Sequence, residues 1–139
     1  MSGLTINLGF DQGSLASIQK LADFEPWLAA HLAYAMPQGL DIIQEEATAY
    51  MWGAFINPTG PAEEAWEQDV QSPYMGILTN TAPQGQRLHY GFSDMTDVAG
   101  RYFPYWPAYF WADHAVENAQ ARVEELFRME VQAAIDEVQ

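Results

Sequence analysis

Residues 110–138, FWADHAVENAQARVEELFRMEVQAAIDEV, are the stretch whose reading decides the fold. Phe110, Val116, Ala119, Val123, Leu126, Phe127, Val131, Ala134, Ile135 and Val138 recur largely at spacings of three and four, the signature of a helix with one apolar stripe. Thirty residues of helix would reach about 45 Å at 1.5 Å per residue. That is long for a small domain, so part of the stripe is expected to find its partner outside its own subunit.

Working back along the chain, a second long helix is expected from Gln38. Leu40, Ile43, Ala47, Tyr50, Met51, Ala54 and Phe55 share one face, while Asp41, Glu45 and Glu46 point away. Asn57, Pro58 and Gly60 stop it. Upstream, Leu4, Ile6, Leu8 and Phe10 alternate with Thr5, Asn7 and Gly9, the period of a half-buried strand. Ser14 is placed to cap a short helix carrying Leu15, Ile18 and Leu21, and Pro26 to open another short one that ends near Pro37. Between the long helices, PAEEAWEQD begins as a helical turn. Residues 66–71 and 74–80 read as extended segments around Ser72-Pro73, and TAPQGQRLHYGF as a short helix or an irregular connection. The fold class expected is α+β: a small antiparallel sheet of short strands packed against two long helices, one of them C-terminal. Short strands leave unpaired edges, which must be covered or continued into a neighbour. No repeat or linker divides residues 1–139, so they are read as one domain.

Charge narrows the function classes. Nineteen acidic residues face five basic ones, for a net charge of −14. Such a surface repels phosphate and offers no basic stripe to nucleic acid, although DNA could slide past it without sticking. There are no cysteines, which removes disulfides, thiolate zinc sites and cysteine nucleophiles. MSGLTINLGFDQGS lacks the basic and long apolar parts of a signal peptide, and no apolar run approaches membrane-spanning length. A cytoplasmic site of synthesis and assembly is expected.

The search for chemistry yields no site. His31, His89 and His114 show no metal-ligand spacing, and Asp113-His114 would diverge on a helix. Asp94 and Asp97 begin like a calcium loop but lack its glycine and its closing glutamate. The pairs Glu45-Glu46, Glu63-Glu64 and Glu124-Glu125 read as solvated faces, and no serine sits in a nucleophile elbow. No catalytic residue, cofactor or metal is expected, and the chain is read as a non-enzyme.

HYGFSDMTDVAGRYFPYWPAYFW, residues 89–111, holds nine aromatic residues together with Gly91, Gly100, Pro104 and Pro107. Ala99-Gly100 reads as the tip of a turn between Asp97 and Arg101. The rings fit three uses: a loop folded back over the core, a platform for glycan or peptide, or a subunit interface, where aromatic residues and arginine dominate the energetics. Arg87 and Arg101, two of the five basic residues, flank the segment. The interface reading takes Arg87, Tyr90, Phe92, Asp97, Arg101, Tyr102, Tyr105 and Trp106 as contact residues. The platform reading uses Tyr102, Tyr105, Trp106 and Tyr109. Charge alone would also suit an acidic mimic of DNA.

Several short motifs add a resemblance. Pro58-Thr59-Gly60 ends a helix, and Asn80-Thr81-Ala82-Pro83, Arg87, Tyr90-Gly91-Phe92 and Met95-Thr96-Asp97-Val98-Ala99-Gly100-Arg101 follow in order. An aromatic-proline stretch then leads into the last helix. Together these motifs resemble tailed-phage neck proteins of the tail-component (head–tail joining, tail-completion) family. The likeness covers roughly residues 37–135, and residues 1–36 carry no motif of that family. It implies a structural virion protein, assembled in the host cytoplasm as a homo-oligomeric ring, hexamer or dodecamer. Such a ring contacts head-connector and tail proteins, and DNA passes through its acidic lumen without specific binding. No membrane is implied.

Overall fold

The computed structural model describes residues 3–24, 26–54, 61–96, 100, 102–106 and 108–137. Its first strand, β1 (Leu4–Gly9), is followed by α1 (Gln12–Phe24), α2 (Pro26–Ala54) and the single turn α3 (Pro61–Glu64). Strands β2 (Trp66–Ser72) and β3 (Met75–Asn80) form a hairpin, and α4 (Pro83–Tyr90) comes next. Strands β4 (Phe92–Thr96) and β5 (Tyr102–Trp106) then lead to α5 (Trp111–Glu137). The class is α+β, with a three-stranded antiparallel sheet in the order β1-β3-β2 and a separate two-stranded sheet, β4-β5.

Helix α2 is the spine. Leu28, Leu32, Ala35, Met36, Gly39, Leu40, Ile43, Ala47 and Met51 are buried along it. The sheet reaches it closely at Gly76 of β3, where an added Cβ would stand 2.9 Å from Leu40 Cδ1 and 3.1 Å from Met36 Sδ. Helix α5 runs antiparallel beside it: Tyr50 meets His114, Glu46 meets Arg122, and His31 meets Glu130. At Gly39 an added Cβ would come 2.7 Å from Leu8 Cδ2 and 3.2 Å from Phe127 Cε2, so strand, spine and last helix converge there. The principal core joins Ile6, Leu40, Ile43, Met51, Leu78, Trp111, Ala115 and Ala119. A smaller one at the far end gathers Leu28, Leu32 and Ala134, with Phe10, Ile18 and Ala22 packed against it.

Four local expectations are corrected. The short helix expected to end near Pro37 and the long one from Gln38 are a single helix with Pro37 inside. An internal proline costs about 3 kcal/mol through its missing N–H and its clash with the preceding turn. The buried stripe running unbroken from Leu28 to Met51 outweighs that cost. Ser14 does not cap α1. Asp11 does, its Oδ1 accepting the Ser14 N–H at 2.8 Å, and this bond holds the Asp11 carboxyl below the usual carboxylate range. Third, the buried face of α5 is not the full stripe expected: Trp111, Ala112, Ala115, Ala119, Val123 and Ala134 are the buried residues. Leu126 and Phe127 are half-buried, whereas Phe110, Val116 and Ile135, expected on the stripe, are exposed. Fourth, segments 92–96 and 102–106 are paired strands, a second sheet beyond the small one expected. The end of the helical pattern at Phe55, the stop at Asn57, Pro58 and Gly60, and Val138 lie outside the described residues.

His31 clasps the far ends of the two long helices. Its Nδ1 stands 2.8 Å from Glu130 Oε2 and its Nε2 2.8 Å from Glu137 Oε1, so the doubly protonated ring donates to both carboxylates. Hydrogen bonding to Glu130, and then to Glu137, raises the His31 pKa above its ordinary value. A histidine pKa raised by folding stabilises the protein fully below the unfolded value of about 6.5, and that contribution fades as pH rises through the folded value. His31→Gln should therefore lower the thermal midpoint most in mildly acidic buffer and least in alkaline buffer. Paired melts of wild type and variant across pH check this, and a gap that widens with pH would contradict it.

Candidate functional site: a hairpin on a braced root

Within the aromatic segment, residues 92–96 and 102–106 pair as an antiparallel hairpin. Phe92 pairs with Trp106, Ser93 with Tyr105, Met95 with Phe103 and Thr96 with Tyr102. Pro104 falls opposite Asp94 in this register, a position open to proline because a two-stranded sheet consists only of edges. Five residues of strand extend about 17 Å at 3.4 Å per residue. Among the described residues, β4 and β5 have substantial contact only with each other. Gly91 at φ 75° ends α4, and Gly100 at φ 86° lies in the connection between the strands; both need the positive φ that glycine accepts readily.

The root of the hairpin is braced. Leu88 and His89 carbonyls accept the Tyr109 and Phe110 N–H groups at 2.9 and 3.0 Å, tying the chain that returns from β5 to the end of α4. His89 is buried, and its Nδ1 accepts the Ala112 N–H at 3.2 Å, which places the ring proton on Nε2. Burial pushes the His89 pKa down, with Asp113 opposing. The ring packs edge-on against Tyr90, Phe110 and Trp111. Trp111 is fully buried, donates its indole N–H to the Gly85 carbonyl at 2.6 Å, and meets Trp66 edge to face at 5.6 Å. Tyr50 stacks on His114 at 4.5 Å and donates its hydroxyl to the Tyr109 carbonyl at 3.1 Å. Phe110 has φ 49°, the left-handed region that a bulky residue rarely enters. The chain thus turns sharply into α5 at a point held by hydrogen bonds on both sides.

Of the residues expected at an interface, Arg87 and Tyr90 are exposed on the last turn of α4. Phe92, Tyr105 and Trp106 lie at the root end of the strands, and Tyr102 at the opposite end. Tyr90 and Tyr102 expose 60% and 58% of their surface, and Phe110, where the chain enters α5, is exposed as well. Asp97 and Arg101 lie outside the described residues. The hairpin therefore gathers five of the expected residues around its root and carries a sixth outward. Sequence reading does not reveal the bracing itself: the spacing of three and four that marks the helical stripe passes over Trp111. Its signal was the aromatic residue directly after Phe110, one step out of the three-and-four spacing.

Among the described residues, no group of three or more His, Asp or Glu side chains is placed to hold a metal ion, and no helix is long and apolar enough to cross a membrane. Comparison with protein-family models, with curated proteins and with solved structures returned no match.

Trp111→Phe removes the donor from a buried carbonyl and trims the core. It should cost about 1–3 kcal/mol for the unsatisfied group, read as a lower urea midpoint. Trp52→Phe, at an exposed site, should stay within about 0.5 kcal/mol of wild type.

Proposed function

We propose that this chain is a structural ring subunit of the tailed-phage neck, joining head to tail, and that the β4–β5 hairpin carries contact between subunits or adjoining rings. The observation that carries the reading is an aromatic-rich hairpin that, among the described residues, pairs only with itself and stands on a braced root. A hairpin free to adapt would lose entropy on docking, whereas a braced one has already lost much of it. A donor arm that meets a different surface on its neighbour makes a heterologous contact, and closed repetition of such contacts makes a ring. The ordered motifs from Pro58 to Arg101 support the same reading by resemblance.

The net charge of −14 suits a lumen through which DNA must pass without adhering. It also makes assembly salt-dependent, since like-charged subunits repel until screened. Arg87, exposed beside the hairpin root, supplies positive charge near the proposed contact. The reading places the protein in the virion after assembly in the host cytoplasm, as a hexamer or dodecamer contacting connector and tail proteins.

Sedimentation and negative-stain microscopy of the purified chain, alone and mixed with connector and tail components, should show rings. Tyr102→Asp changes an exposed residue, so the monomer should fold normally while the ring fraction drops sharply. Persistent monomers under every condition, or unchanged rings from the variant, would overturn the assignment.

A further inference from the structure

The two edges of the three-stranded sheet differ. Strand β2 carries Glu67 and Asp69 and breaks register between Val70 and Ser72, features that discourage an added strand. Strand β1, LTINLG, is the other edge and carries no charge or bulge. Beside it, between β1 and α5, runs an apolar groove. One part, about 210 Å³, is lined by residues including Ile6, Leu8, Ile43, Val116 and Val123. A second, about 150 Å³, continues past Leu8 and Val123 to Phe10 and Phe127.

Charge selects what fits there. Glu124 lines both parts, and no basic residue lines either. Asp113, Glu117 and Glu124, all exposed, follow one another at spacings of four and seven along α5, which sets them on one stripe. Along the helix axis these steps are about 6 and 10.5 Å. The two arginines of α5 are engaged elsewhere: Arg122 with Glu45 and Glu46 of α2, Arg128 with Glu125.

We propose that this groove is a docking site for an extended, basic segment of a partner protein, received as an added strand along β1. Its main chain pairs with the outward N–H and C=O groups of β1, alternate apolar side chains enter the groove, and the intervening lysines or arginines lie against the acidic lip of α5. The site is separate from the hairpin and stands whether or not the chain forms rings.

The test is fluorescence anisotropy of a labelled peptide alternating valine with lysine and arginine, titrated with the full chain. Saturable binding is expected, weakening by about tenfold or more as salt rises and screens the acidic lip. Glu124→Lys should weaken it by about tenfold, and Val116→Arg should abolish it. Both positions are exposed, so circular dichroism should show unchanged folding. N-methylation of one alternate set of peptide amides should block binding, while methylation of the other set should not. The proposal falls if a block peptide of the same composition binds equally well, or if both variants bind as wild type. It also falls if the peptide does not bind and Val116→Arg instead abolishes self-association in sedimentation, since the groove then receives a second copy.

Discussion

Everything else in the molecule rests on the antiparallel contact between α2 and α5. Many of the residues the two helices bury are small, Ala35, Gly39 and Ala47 on one and Ala112, Ala115 and Ala119 on the other. Small side chains bring little apolar area each, and larger neighbours such as Leu32, Met36, Leu40 and Trp111 are fully buried among them. The sheet then has a firm floor, and the start of α5 has a fixed position from which the hairpin can be held.

That position links packing to function. The chain into α5 is tied to α4 by main-chain hydrogen bonds, and α4 is tied back through the Trp111 indole to the core. Movement of the hairpin root would have to disturb buried rings, a costly event in a close-packed interior. The hairpin thereby gains a fixed direction at its root. Near the opposite end of the long helices the clasp is ionic, and its strength follows the protonation of one histidine.

Much of this architecture was legible in the sequence. The alternation of residues 4–10 and the apolar stripes of the two long helices each follow from one repeating constraint, burial of one face. Pro37 was misread because local propensity argues for a stop, while the benefit that overrides it comes from α5 and the sheet, which the local sequence does not show. The His31 clasp was invisible for a similar reason: its partners lie about a hundred residues away, at Glu130 and Glu137, with no spacing rule to join them. At the hairpin, the density of aromatic residues announced an unusual segment and the glycines its turns. Its bracing depends on backbone carbonyls of Leu88, His89 and Gly85, which carry no side-chain signature.

Phe110 shows how exposure and tolerance can part company. Half of its surface faces solvent, so an accounting of burial alone would leave the position open to any residue. Its backbone, at φ 49°, sets a different rule. Valine, isoleucine and threonine, branched next to the main chain, are disfavoured there, whereas glycine and asparagine are at home. The palette permitted at this corner is thus drawn by chirality rather than by water.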